Sequence, residues 1–215
     1  MKQAVVILLV FSLIFTVGCQ KKSDVINANA EITTTETSAV ETTIVETTAP
    51  VNYTFRKTTW EMTKEEVIES EGKSPDEQND KYLGFYNCDV AGYDTSVIYG
   101  FKNGKLNQAA YILNEDHVND NAYIDDYKNL KKLYTDKYSA PYQDKENWSD
   151  DLYKDDPDDY GTAVACGHLS YASIFSNSGD DIIMMLNGDN FDISLSITYY
   201  DGTFTDNYEP NNDGI

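Results

Sequence analysis

The chain has 215 residues, with 37 acidic side chains against 16 basic ones and a formal net charge of −21. That length holds one or two domains with a core of their own, and the charge excludes the Lys and Arg clusters that neutralise nucleic-acid phosphates or dock on anionic lipid. Three cysteines and two histidines leave little material for a zinc site or a disulfide scaffold.

The chain opens Met1-Lys2-Gln3 and then runs apolar from Ala4 to Val17, interrupted only by Ser12 and Thr16. One positive charge followed by such a run reads as the first two regions of a signal peptide, shorter than the ~20 residues of a bilayer span. The run ends Thr16-Val17-Gly18-Cys19, followed by polar Gln20-Lys21-Lys22. This resembles the lipobox of bacterial lipoproteins, in which a small residue precedes an invariant cysteine; Thr16 stands where that pattern has Leu or Val. The resemblance implies a signal peptide over 1–18 and a diacylglyceryl-modified Cys19 that holds the protein on the extracytoplasmic face of a bacterial cell membrane. A plain secretory signal with an incidental cysteine is the alternative. Acyl chains contribute about 0.8 kcal/mol per buried methylene, so such an anchor needs no basic residues.

Residues 20–50 contain no aromatic residue and no glycine, and Glu31, Glu36, Glu41 and Glu46 recur every five residues among threonines. So few large apolar side chains cannot offset the entropy of folding, which predicts a disordered Thr/Glu-rich stalk behind Cys19, glycosylated or bare. From about Val51 the composition changes: all 17 tyrosines and both tryptophans lie beyond it. A folded domain is expected over 51–205, with 206–215 as a polar tail.

The domain's first element starts at Thr63, where Thr63 and Glu66 have capping-box spacing and Met62 and Val67 stand at staple positions; Gly72 should end the helix. Strand-like runs follow at Tyr82 to Asn87, Thr95 to Phe101 and Leu106 to Leu113, the last two joined by Asn103-Gly104, a type I′ hairpin signal. The order then recurs. Tyr123 to Tyr138 has apolar residues at helical spacing, and strands are expected at Val164 to Phe175, Asp181 to Leu186 and Phe191 to Tyr200, with Asn187-Gly188 as a turn. Helix and three strands, twice (about 55–115 and 120–201), predict an α+β domain: one antiparallel sheet of tandem repeats with helices on one face.

Trp60-Glu61-Met62-Thr63-Lys64-Glu65-Glu66-Val67 resembles the Gly-Met-Thr-x-x-Glu/Gln-Val start of the small outer-membrane assembly lipoproteins of the SmpA/OmlA type. Those share a fold with the β-lactamase inhibitor proteins, which are tandem repeats of a helical segment and an antiparallel sheet. Glu61 replaces the family glycine, and the second unit lacks the Met-Thr pair. The resemblance implies a non-catalytic, protein-binding lipoprotein whose open sheet face contacts its partner.

On that reading Tyr99, Tyr111, Tyr171 and Tyr199, all in strands, are the candidate binding face, because tyrosine binds proteins at low entropic cost. Plain β-propensity is the alternative. Cys88 and Cys166 are a candidate disulfide closing a long loop, with two free thiols as the alternative. Cys166 and His168 lie two apart on an expected strand, poor geometry for a nucleophile and its base. Asp144 to Asp159 is rich in carboxylates but lacks the spacing of a calcium loop, and reads as a solvated connection. His117, beside Glu115 and Asp116, reads as a surface turn residue. No phosphate loop, nucleophile elbow or metal motif appears, so no catalytic residue, metal ligand or cofactor is expected. An extracellular enzyme acting on wall polymer or glycan, or a calcium-tuned structural lipoprotein, are the competing functions. The expected partners are a membrane, through lipid, and a protein; nucleic acid is not among them.

Overall fold

The structure, a computed structural model, describes residues 52–202. They contain three helices, α1 (Lys64–Glu71), α2 (Asn121–Tyr138) and α3 (Tyr160–Ala165). The strands are β1 (Glu77–Gln78), β2 (Tyr82–Val90), β3 (Tyr93–Lys102), β4 (Lys105–Leu113), β5 (Gln143–Trp148), β6 (Leu169–Asn177), β7 (Asp180–Asp189) and β8 (Asp192–Tyr200). They form one antiparallel sheet in the order β1-β2-β3-β4-β8-β7-β6-β5. The chain therefore builds each half from an edge inward, and the halves join at a seam where β4 pairs with β8. The fold is α+β and dominated by its sheet. Among the described residues no helix is long and apolar enough to cross a membrane.

Local signals set the first half. Thr63 Oγ1 accepts from the Glu66 amide and the Glu66 carboxylate accepts from the Thr63 amide, a complete capping box. Gly72 ends α1 in the left-handed region, at φ 68°. Asn103 and Gly104 both have positive φ, as a type I′ turn between β3 and β4 requires.

Strand parity sets the layers. Val97, Tyr99, Ala109, Tyr111, Ile197, Tyr199, Ile182, Met184, Ser173 and Phe175 stand in cross-strand register on one face. α1 meets this inner face through Glu71, which accepts a hydrogen bond from the Tyr99 hydroxyl. α2 meets it through Tyr127, whose hydroxyl lies 2.6 Å from Ser173 Oγ. Both helices therefore lie on one face, and the core fills the space between them and the sheet.

A strap of chain before α1 ties the halves together. Phe55 is buried, with its ring centroid 5.4 Å from Tyr99, 4.6 Å from Tyr111 and 4.9 Å from Tyr199, so it touches β3, β4 and β8 across the seam. Trp60 Nε1 donates to Asp180 on β7 at 2.6 Å.

The second half departs from the sequence expectation in three places. The run from Val164 is not strand: Tyr160 to Ala165 form α3, and β6 starts only at Leu169. Small residues explain it, because Gly161, Ala163, Val164 and Ala165 are all buried in a narrow space, and packing overrides the β-branched preference. Asn187-Gly188 is not a turn but lies within β7, and Asn190 and Phe191 make the turn with positive φ. Gly188 is needed because a Cβ there would strike the Val164 carbonyl of α3. Each half also has a fourth strand at its edge, β1 and β5, where the sequence is too polar to read as strand. The expected signal peptide at 1–18, Cys19, the stalk and the tail at 206–215 lie outside the described residues.

Candidate binding surfaces

The four tyrosines expected on the open face point the other way. Tyr99, Tyr171 and Tyr199 are buried on the inner face, and Tyr111 is half-buried beside Phe55. Each alternates with residues of the opposite face and packs under the helices, Tyr99 and Tyr199 against Phe55 and Tyr171 against Tyr127. Their hydroxyls are held internally: Tyr99 donates to Glu71, and Tyr199 lies 2.8 Å from the Tyr134 hydroxyl. Burial raises the Tyr111 hydroxyl to about 12, although Arg56 beside it lowers it. Their side chains are packed inside the fold and are not displayed on the outer sheet face.

Cys88 and Cys166 are free thiols. Cys88 is on β2, whereas Cys166 caps α3, which packs on β6, β7 and β8. Even the nearest of these is three strand spacings from β2, about 14 Å, against a disulfide limit of roughly 7 Å between Cα atoms. Of the two readings open from the sequence, two separate thiols is the one the structure has. His117 is not a free turn residue: its Nε2 lies 2.6 Å from Asp126 on α2. His168 has Tyr153 stacked near it, with Asp150 4.0 Å from its Nδ1. The acidic run is only partly loop, since Gln143 to Trp148 pair with β6. Asp144 is pulled below the usual carboxylate range: burial opposes this, but hydrogen bonds from Lys131 and Ser173 outweigh it. The described residues include no group of three His, Cys, Asp or Glu placed to hold a metal ion.

The outer face is built by the alternate residues. Across β3, β4, β8, β7 and β6, one row reads Ile98, Ala110, Thr198, Ile183 and Ile174, and the next reads Ser96, Ile112, Ser196, Met185 and Ala172. None of these ten side chains is charged, although residues 51–215 carry 32 acidic and 13 basic groups. Met185 is 39 % exposed. Two tyrosines frame the patch. Tyr86 lies over Gly84, where a Cβ would meet its ring at 3.3 Å, and its hydroxyl and that of Tyr82 both donate to Glu77. At the other edge Tyr142 is half-exposed and reaches across β6 to donate to Asp181 on β7 at 2.8 Å. At one end of the sheet, Asp89 stands directly opposite Asp94 and Asp189 opposite Asp192, all four exposed. Like charges directly opposite each other are destabilising.

A second concavity lies on the inner face. The far ends of β2, β3 and β4 extend beyond α1, and the C-terminal half of α2 overhangs them. The cavity between has a volume of about 220 Å³, and among its lining residues Leu133 is half-exposed.

The sequence offered signals for part of this. Tyr199 shares parity with Leu195 and Ile197, which by itself predicts an inward direction. Nothing in the sequence marked Tyr142, which sits in a polar stretch before an unread edge strand. No family model, curated protein or solved structure matches the chain.

Proposed function

We propose that the protein is an extracytoplasmic lipoprotein, anchored through Cys19, whose folded head is a non-catalytic protein-binding module built from two repeats of one unit. The topology supports the repeat: each half has a helix, an edge strand and a three-stranded meander that ends at the central seam, with α3 inserted before the meander in the second half. The lipobox-like Thr16-Val17-Gly18-Cys19 supports the anchor.

The observation that carries the binding function is the uncharged patch on the outer face. Ile174 and Ile183 are buried, but a partly exposed sheet face in so acidic a domain has no physical reason to exclude charge from the other eight positions, whereas a docking surface does. The partner is a protein with an aliphatic centre flanked by Lys or Arg. The two Asp–Asp pairs provide the matching rim and would repel a second copy of this chain.

The test uses the full chain on intact cells, with a photo-crosslinker placed at Ser196 of the outer face or at Asp125 of α2. Adducts are expected from Ser196 only, and they should disappear in the Ile112→Asp variant while its thermal unfolding stays unchanged. Equal labelling from both positions would overturn the reading. The anchor is tested separately, because a Cys19→Ala protein should leave the membrane fraction.

A further inference from the structure

The cavity beneath the C-terminal half of α2 has the chemistry of a small-molecule site. Thr95, Leu113, Leu133, Tyr134, Lys137 and Tyr199 are among the residues that line it. The polar atoms on its wall are already paired within the protein. Thr95 Oγ1 donates to the Cys88 carbonyl at 2.8 Å, and the Tyr134 and Tyr199 hydroxyls pair at 2.8 Å. The Tyr111 hydroxyl lies beside Arg56, and that of Tyr93 beside Asp126 and Asn129. Water entering the cavity would therefore find few groups to satisfy, and such a wall favours an apolar body.

One group differs. Lys137 is the single charged residue on the wall. Among the described residues it makes no hydrogen bond or ion pair, and its Nζ lies 4.7 Å from the centroid of the Tyr138 ring. Leu133, on the same wall, is a large apolar side chain left 51 % exposed. An uncommitted ammonium on the wall of a tyrosine- and leucine-lined cavity complements an anion carried on an apolar body.

We propose that this cavity binds a small aryl or branched-alkyl carboxylate, with the ring or alkyl body against Leu113 and Tyr134 and the carboxylate accepting from Lys137 Nζ. The volume sets the size. A cavity of about 150 Å³ holds a benzene ring, so the one here accepts a ring with a short acid tail. The site is on the opposite face from the protein-docking patch, and neither depends on the other.

The test titrates the full chain with 3-phenylpropionate, 3-phenylpropan-1-ol and 3-phenylpropylamine, following backbone amide signals by NMR. 3-Phenylpropionate should shift the signals of residues 90–95 and 133–137. The alcohol should bind about tenfold more weakly, the loss expected for one charge-assisted hydrogen bond, and the amine more weakly still. Lys137→Gln should reduce the acid to the affinity of the alcohol and leave the alcohol unchanged, a control that also reports an intact cavity. Equal affinity for all three probes, shifts confined to other residues, or unchanged acid binding in Lys137→Gln would each overturn the proposal.

Discussion

Arg56, the only arginine in the chain, donates to Glu71 at the end of α1 through Nε at 2.7 Å and Nη2 at 3.0 Å. The same carboxylate accepts from the Tyr99 hydroxyl, and its side chain is 6 % exposed. Fifteen lysines serve elsewhere, but a flat two-pronged donor is needed where one carboxylate must be held in a fixed plane. Removing Arg56 strands a buried carboxylate, so Arg56→Met should cost about 3 kcal/mol. Arg56→Lys should also destabilise, and the double variant Arg56→Met/Glu71→Met should recover much of the loss. Urea midpoints of the wild type and these three variants check this; a double variant no more stable than Arg56→Met would contradict it.

Phe55 has no aliphatic substitute nearby, since three tyrosine rings from three strands converge on it. Phe55→Ala should cost about 3–5 kcal/mol by cavity formation. Hydrogen exchange at β4 and β8 should accelerate together, because the seam loses its cover.

Two glycines are required for opposite reasons. At Gly161 a Cβ would collide with the backbone of Asp120 and Asn121 at the start of α2, and that backbone cannot yield as a flexible side chain would. At Gly72 nothing lies within 4 Å, and only the positive φ opposes a side chain. Gly161→Ala should therefore cost more, about 3 kcal/mol from overpacking, against roughly 1 kcal/mol of left-handed strain for Gly72→Ala. Thermal unfolding of the two variants measures the order.

The opposed aspartates should be worth more neutralised than charged. Asp94→Asn and Asp192→Asn are each expected to stabilise the free protein by about 0.2–1 kcal/mol, with the gain shrinking in high salt. If the outer face docks a basic-rimmed partner, the same substitutions should slow association and leave dissociation nearly unchanged.

Alkali should unfold the domain by releasing tyrosine protons. Burial, above all, pushes the Tyr127 hydroxyl up to about 12, with Ser173 lowering it, and burial together with Asp181 does the same for Tyr142. A folded value above the usual one near 10 means the neutral ring is favoured by the fold. That stability is complete below pH about 10 and is lost as pH rises toward 12. Absorbance at 295 nm should show one class of tyrosines titrating at the usual value, and a second appearing only with unfolding.

Where the physics is local, the sequence is legible. Thr63, Glu66 and Gly72 delimit α1 because caps act within one turn, and Asn103-Gly104 makes its hairpin because two positive φ angles suffice. Where the cause lies across the fold, it is not. Gly188 looks like a turn residue until α3 is laid over it, and Val164 looks like strand until Gly161 and Ala165 are seen to fit a gap too narrow for larger residues. The direction of Tyr199 could be read from its parity with Leu195 and Ile197. That of Tyr99 could not, because Ile98 and Val97 make both faces of β3 apolar.

The strap formed by Phe55 and Trp60 has a mechanical meaning. Any pull arriving along the chain from before residue 52 reaches the sheet first at Phe55, in the middle of eight strands, instead of at an edge where strands could be unzipped one at a time. The load is shared at once by β3, β4 and β8 through the rings, and by β7 through Trp60 and Asp180. The join between the halves is thereby the place where such a pull would be borne.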